Sequence, residues 1–160
     1  MTNHNPQTTS LPIHAPEQKA KRWTALAVIM LPVLLVSIDN TVLAFAVPAI
    51  AEALRPSAAE QLWIVDSYSL VLAALLVPMG AIGDRIGRRK LLLIGSTGFA
   101  AISALAAFAP SALVLVIARA LLGIFGAMLM PATLSIIRNV FVDANERRIA
   151  IAVWATGFSA

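Results

Sequence analysis

The sequence predicts an all-α transmembrane protein with four complete helices and the start of a fifth. Apolar residues make up 59% of the 160 residues and only 12% are charged, whereas an average soluble domain is about half apolar and about a quarter charged. A soluble domain of this length has too small an interior to bury so much apolar surface. The apolar runs are also continuous and lack the alternation that a membrane β-strand needs. Lipid is therefore the expected solvent for most of the chain.

The amino-terminal segment, residues 1–22, is polar and contains prolines. We predict a disordered tail here, because too few apolar residues are present to order it. The apolar run that follows is too long for the core of a signal peptide. His4 and His14 lie in this tail without a metal-ligand spacing, so no metal site is expected. The chain has no cysteine, which excludes disulfides and thiolate metal sites.

Residues 23–160 form an incomplete transmembrane bundle in this prediction. Each of the first four apolar stretches holds about 19 residues or more, enough to cross about 30 Å of hydrocarbon at about 1.5 Å per residue. The fifth stretch is too short to cross, which indicates either a piece of a longer protein or a truncated product. The predicted spans cover residues 23–50, 62–82, 91–109, 112–140 and 149–160.

Basic residues lie almost entirely on one side of the predicted spans. The tail contains three, the 83–90 loop four and the 138–148 loop three, whereas the two opposite loops contain only Arg55. Because positively charged loops stay in the cytoplasm, we expect a multi-pass protein of the cell membrane with a cytoplasmic amino terminus. Basic residues split among short loops do not favour nucleic-acid binding.

Three ionisable residues interrupt the spans: Asp39, Asp66 and Arg119. Each costs at least about 2.5 kcal/mol at a helix centre, so such residues normally face a bundle interior or a water-filled cavity. The helical rise from the outer ends places Asp39 and Arg119 at comparable depth. An ion pair between the first and fourth spans is therefore expected to be within reach, and Asp66 is expected nearer the outer surface.

Two interpretations of these charges stay open. In one, Asp39 and Arg119 neutralise each other and hold the bundle together. In the other, Asp39 or Asp66 gains and loses a proton as the helices rearrange, because a carboxyl group kept from bulk water has its charged form disfavoured. Asp66 also has a simpler interpretation, as a side chain wetted by the outer headgroup region. The interpretations are compatible, because an ion pair that opens and closes is itself a switch.

The most distinctive stretch is residues 80–90, which read GAIGDRIGRRK. Gly80 and Gly83 permit close approach between helices, and Gly87 permits a tight turn with positive φ. Asp84 stands where a carboxylate can meet a helix amino terminus or an arginine. The four basic residues alone would suffice as an anchor for membrane topology. The spacing of the glycines and the aspartate therefore indicates a more specific motif.

This stretch resembles the signature between helices 2 and 3 of the major facilitator superfamily, G-x-L-x-D-R-x-G-R-[RK], with Ile82 where Leu is usual. The segment from Arg119 through Gly123 to Gly126 is similar to the R-x-x-x-G-x-x-G element of helix 4 in that family. Leu122 stands there in place of a polar residue that is often Gln. The first motif lies between the second and third predicted spans, and the second motif lies in the fourth.

Two further segments resemble one subfamily. Residues 38–48, IDNTVLAFAVP, are similar to the L-D-x-T-x-x-N-x-A-x-P signature of drug:proton antiporters with fourteen spans, with Ala44 in place of the usual Asn. Residues 63–70, WIVDSYSL, resemble the start of helix 2 in that subfamily. An acid at Asp66 is typical of its exporters of quaternary ammonium compounds and cationic dyes. The resemblance covers residues 23–160.

The resemblance implies part of a six-helix bundle that rocks against a second bundle, and proton-coupled efflux of lipophilic, cationic drugs. It assigns proton coupling and substrate attraction to Asp39, Asp66 and Arg119. Trp63 and Tyr68 would offer π faces to a cation. It assigns a cytoplasmic conformational latch to the residues of the 80–90 stretch, Gly80, Gly83, Asp84, Arg85, Gly87, Arg88 and Arg89.

The partners implied by the resemblance are protons, small lipophilic or cationic substrates, the lipid bilayer and the remaining C-terminal helices of the same transporter. The proton motive force would supply the energy, with no cofactor and no metal. A facilitator-type uptake carrier for small solutes is the first alternative, and a truncated, non-transporting membrane module is the second. The sequence contains no nucleotide-binding loop, hydrolytic constellation or metal-ligand cluster, so an enzyme is not predicted.

Overall fold

The computed structural model describes residues 16–159, which form five α-helices and no strand. Four of the five are long and apolar enough to cross a membrane, and the fifth is shorter. The predicted all-α fold, with four complete spans and the start of another, is thereby confirmed. The helices are α1 Pro16–Leu54, α2 Ala58–Ile86, α3 Arg88–Ala106, α4 Ala112–Val140 and α5 Ala144–Ser159.

Helix α4 is the centre of the packing. It makes extensive contacts with α2 and α3, whereas α1 packs mainly on α5 and α4. One shared core unites four helices through Val36, Tyr68, Phe99, Leu122 and Leu129. This arrangement buries one side of every spanning helix around α4 and places side chains of α1, α2 and α3 next to its middle.

Large apolar side chains cover much of the outer surface. Phe45 is 82% exposed, Val77 80% and Phe108 85%. In water such a surface would drive association, whereas hydrocarbon solvates it without cost. The outward-facing apolar residues therefore fit the predicted lipid environment.

Helix α1 begins earlier than predicted. The tail was expected to be disordered through residue 22, but the helix already begins at Pro16; residues 1–15, including His4 and His14, lie outside the described part. Proline suits the first turn of a helix, where its missing N–H has no partner to lose. A tertiary contact also stabilises this part of α1, because the ring of Trp23 packs edge-on against that of Phe141 with centroids 5.5 Å apart.

The predicted loop over residues 83–90 is almost entirely helical. Helix α2 continues to Ile86 and α3 begins at Arg88, so Gly87 alone joins them. Gly87 has φ of +99°, which confirms the expected positive φ at this glycine. Only a residue without a side chain adopts this conformation cheaply, so one residue suffices for the turn.

Two helix starts differ from the prediction because side chains cap them, and the end of α3 also differs. Helix α2 begins at Ala58, where Ser57 and Glu60 form a capping box: the Ser57 side chain accepts from the Glu60 N–H, and the Glu60 carboxylate accepts from the Ser57 N–H. Helix α5 begins at Ala144 rather than 149, since the Asp143 carboxylate accepts the N–H groups of Asn145 and Glu146 at 2.9 and 3.0 Å. Helix α3 ends at Ala106, short of the predicted residue 109.

Candidate functional site

The ion pair expected between the first and fourth spans is present. Nη1 of Arg119 on α4 lies 2.6 Å from Oδ2 of Asp39 on α1. The side chain of Arg119 is 4% exposed and that of Asp39 12% exposed. Both charges therefore lie away from bulk solvent, where each needs the other.

Helix α2 holds the other side of the Arg119 guanidinium. Nε of Arg119 donates a hydrogen bond to the backbone carbonyl of Ile64 at 3.3 Å. The guanidinium also lies over the ring of Tyr68, 4.6 Å from its centroid, in cation–π geometry. Tyr68 is only 4% exposed, and its π face is occupied by this internal cation. A contact between Tyr68 and a substrate cation stays a prediction.

Helix α3 contributes a partner that the sequence did not indicate. Oγ of Ser103 donates a hydrogen bond to Oδ1 of Asp39 at 3.2 Å. Each carboxylate oxygen of Asp39 thus accepts from a different helix. A serine in an apolar helix carries little signal, because its hydroxyl group usually bonds its own backbone, as that of Ser96 does with the carbonyl of Leu92.

A cavity of about 440 Å³ begins at this cluster and extends along α1 towards Leu54. Alanines and leucines form most of its wall, and its polar side chains are those of Asp39, Ser103 and Arg119. Its volume falls in the range of small-molecule sites, which combine apolar walls with a few polar groups. Its lining is Asp39, Val42, Leu43, Ala46, Ala49, Ile50, Ala53, Leu54, Ser103, Ala106, Ala107, Ala109, Leu115, Arg119 and Leu122.

The two glycines of the helix-4 motif bring α2 against α4. A Cβ atom at Gly123 would lie 2.7 Å from the carbonyl oxygen of Tyr68, and one at Gly126 would lie 3.1 Å from the Tyr68 hydroxyl oxygen. Such distances leave no room for a side chain at Gly123. The glycines therefore set the distance between the helices that places Tyr68 beside Arg119.

The 80–90 stretch forms a second polar cluster. It lies at one end of the bundle, here called the basic end, which carries Arg85, Arg88, Arg89, Lys90, Arg147 and Arg148. Arg88 forms an ion pair with Asp84 across the Gly87 turn. Its Nη1 also donates to the carbonyl of Pro131 on α4 at 3.2 Å. One side chain thus connects α2, α3 and α4.

The remaining residues of the predicted latch have simpler surroundings. A Cβ atom at Gly83 would lie 2.8 Å from Cδ2 of Leu91, so this glycine permits the close approach of α3. At Gly80 the nearest atom would be Cβ of Pro131 at 3.8 Å, an ordinary contact. Arg85 and Arg89 are exposed.

Asp66 does not join the other two predicted charges. It lies on α2 and is half-buried, and it is absent from the cavity lining given above. Trp63, three residues before it, is 50% exposed. The structure therefore brings together Asp39 and Arg119 and leaves Asp66 apart.

A sequence profile of the Major Facilitator Superfamily matches residues 29–160, which include every residue of this site. The chain belongs to the major facilitator superfamily. The buried ion pair joins the first and fourth helices of the described part.

Several curated relatives are named for drug efflux or drug resistance. The chain is 69% identical over 155 residues to the multidrug efflux pump LfrA of Mycolicibacterium smegmatis, covering 97% of this chain and 29% of LfrA. It is 46% identical over 135 residues to the methyl viologen resistance protein SmvA of Salmonella typhimurium, covering 84% and 27%. It is 36% identical over 137 residues to the tetracenomycin C resistance and export protein of Streptomyces glaucescens, covering 86% and 25%. The chain thus spans less than a third of the length of these relatives.

Proposed function

We propose that this chain is the amino-terminal part of a transporter that exports lipophilic, cationic drugs across the cell membrane in exchange for protons. The observation that carries the proposal is the buried ion pair of Asp39 and Arg119 at the end of an apolar cavity. The proton motive force drives the exchange in this proposal, with no cofactor and no enzymatic step. The fourteen-span architecture of the subfamily stays a prediction.

The charge of the site gives the coupling a physical basis. When Asp39 is ionised, the pair is neutral, and the carboxylate can attract a cation that enters the cavity. When Asp39 binds a proton, the uncompensated charge of Arg119 stays buried and repels a cation nearby. Proton and cationic drug therefore oppose each other's binding, and this opposition acts equally in both directions. Exchange across the membrane follows if the site faces the two sides alternately.

The cavity supports a lipophilic substrate. Its walls are almost wholly alkyl, so they favour a ligand with a large apolar surface. The names of two relatives support the other parts of the proposal: LfrA is named a multidrug efflux pump, and SmvA is named for resistance to methyl viologen, an organic cation. Asp66 is proposed to attract such cations from a separate position on α2.

The Arg88 cluster is proposed to act as the conformational latch. Because Arg88 connects Asp84 with the Pro131 carbonyl, helices α2, α3 and α4 move together while these contacts last. We propose that the basic end faces the cytoplasm and that the remaining C-terminal helices form the second bundle. Loss of the Arg88 contacts would then accompany the change between the two orientations of the site.

The test uses the full-length transporter in inside-out membrane vesicles energised with a proton gradient. Uptake of tetraphenylphosphonium, a lipophilic cation, is measured together with the release of protons from the vesicle interior. Asp39→Asn keeps the size of the side chain but cannot exchange a proton. We expect this variant to lose at least 10-fold of gradient-driven uptake and to lose the linked proton movement.

Glu52→Gln is the matched control, because Glu52 is an exposed carboxylate on the same helix. It should transport like the unmodified protein. If Asp39→Asn and Asp66→Asn together leave proton-linked uptake intact, neither residue couples the transport and the proposal is wrong.

A further inference from the structure

We propose that Ser103 is a positioning residue for Asp39, and that its hydroxyl group sets the pH at which the Asp39 site exchanges a proton for a cation. This inference rests on the proposed function. It concerns a residue outside the motifs that the sequence singled out, on a helix that contributes no charge to the site.

The geometry divides the carboxylate of Asp39 between two donors. Arg119 occupies Oδ2 at 2.6 Å, and Ser103 occupies Oδ1 at 3.2 Å. Ser103 is half-buried and lines the cavity that begins at Asp39. Helices α1 and α3 make few other contacts, so this hydrogen bond fixes the carboxylate relative to α3.

A hydroxyl group suits an exchanging carboxyl group better than a second cation would. It donates to the ionised carboxylate, and after protonation the same oxygen can accept the carboxyl O–H. The guanidinium of Arg119 can only donate, so it favours the ionised form alone. Ser103 therefore remains a partner of Asp39 in both protonation states.

Few other groups compete for control of Asp39. Arg119 faces it from α4, and Tyr68 on α2 lies on the far side of the guanidinium. The described charges of α3 stand at its first turn, Arg88, Arg89 and Lys90, and those of α5 are Glu146, Arg147 and Arg148, again near its beginning. Both groups lie at the basic end, away from Asp39. On α3, Ser103 is therefore the side chain that interacts with the Asp39 carboxylate.

The experiment measures equilibrium binding of tetraphenylphosphonium to the purified full-length transporter between pH 5 and pH 9. Ser103→Ala removes this partner from both protonation states, but the hydrogen bond to the ionised carboxylate is charge-assisted and therefore the stronger of the two. Its loss costs the ionised form more, so the variant keeps its proton to higher pH. We expect the midpoint of cation binding to rise by about half to one pH unit, which is about a 3- to 10-fold gain in proton affinity. Binding at high pH, where Asp39 is ionised in both proteins, should stay within about 3-fold, since such a variant keeps its fold.

Ser103→Thr restores a hydroxyl group and is expected to restore the original midpoint. Ser96→Ala is the matched control, because Ser96 is a half-buried serine on the same helix whose hydroxyl group bonds only the carbonyl of Leu92 among the described residues. Its midpoint should not move. If Ser103→Ala cannot be purified in a folded form, Ser103→Cys takes its place. Its midpoint should rise less than that of Ser103→Ala, because a thiol still donates a weak hydrogen bond.

An unchanged midpoint in Ser103→Ala with normal binding at high pH would overturn the inference. Asp39→Asn separates this outcome from failure of the proposed function. If Asp39→Asn abolishes the pH dependence while Ser103→Ala does not move it, only the role of Ser103 is lost. If the pH dependence survives Asp39→Asn, the proposed exchange at Asp39 fails as well.

Discussion

Arg119 is the one buried charged residue among residues 19–158, with 3% of the whole residue exposed. A buried guanidinium is tolerated only when its charge is paired and its donors are satisfied. Asp39 supplies the charge, the Ile64 carbonyl accepts from Nε, and the ring of Tyr68 covers one face. Arg119 therefore both neutralises Asp39 and ties α1 to α2 through α4.

Part of this cluster could be predicted from the sequence, and part could not. The depth of Asp39 and of Arg119 follows from helical rise, which is why their contact was within reach of sequence reasoning. The position of Tyr68 depends on how α2 is rotated about its axis, and only packing on α4 fixes that rotation. The partner of Ser103 depends on the helix that this side of α3 faces. A single hydroxyl group in an apolar segment does not reveal that helix.

At the scale of single residues, we expect the pairing of Arg119 with Asp39 to appear as non-additive effects of substitutions at the two positions. Arg119→Gln leaves the Asp39 carboxylate buried without a cation, and a broken buried pair costs about 3–5 kcal/mol. Asp39→Asn alone should likewise lower the thermal midpoint of the full-length protein. The double variant places two neutral amides side by side and should lose clearly less than the sum of the single losses.

Thermal unfolding of the four proteins in the same detergent measures this coupling. Strictly additive losses would show that the two residues do not depend on each other, contrary to the observed contact. Glu52→Gln on α1 serves as a control for the loss of a carboxylate that has no such buried partner.

At the scale of the helices, the pattern of apolar residues predicted the spans well and their ends poorly. All five predicted segments are helical. In lipid, a continuous apolar run satisfies its backbone hydrogen bonds by forming a helix. Their ends are set by single residues or distant contacts: Gly87 replaces a predicted loop, and Asp143 starts α5 early. The early start of α1 coincides with Trp23 packing on Phe141 beyond α4, a contact that no local pattern encodes.

The spacing between α2 and α4 gives a prediction for the helix-4 motif. Gly123→Ala would place a methyl group 2.7 Å from a backbone carbonyl, which cannot move aside without moving α2. We expect a loss of about 1–3 kcal/mol, the usual cost of overpacking, and a lower thermal midpoint. Because Tyr68 would move with α2, cation binding should weaken too.

Gly80→Ala is the matched control for this effect, since its Cβ atom would be 3.8 Å from the nearest atom and fits without displacement. Both substitutions remove a helical glycine, so they share the gain in helix propensity. A Gly123→Ala protein as stable as Gly80→Ala would mean that α2 and α4 are not held at this distance.

For the whole molecule, the two ends differ in charge and in the contacts that close them. At the basic end, Arg88 connects three helices, and Arg22 and Lys19 on α1 lie 3.6 and 3.8 Å from Glu146 on α5. At the opposite end, the cavity widens the bundle between α1, α3 and α4. The described bundle is thus held together at the end proposed to face the cytoplasm, and its cavity extends towards the other end.

The orientation in the membrane follows from the same asymmetry and can be tested directly. The chain has no cysteine, so a cysteine introduced into it reports its own position once any cysteines elsewhere in the full-length protein are replaced. Ala59→Cys marks the beginning of α2 at the opposite end, and Ala144→Cys marks the beginning of α5 at the basic end; both alanines are exposed. Because basic loops stay in the cytoplasm, a membrane-impermeant maleimide should label Ala59→Cys in intact cells and Ala144→Cys only in inside-out vesicles. The reverse pattern would place the basic end outside, and the cavity would then extend towards the cytoplasm.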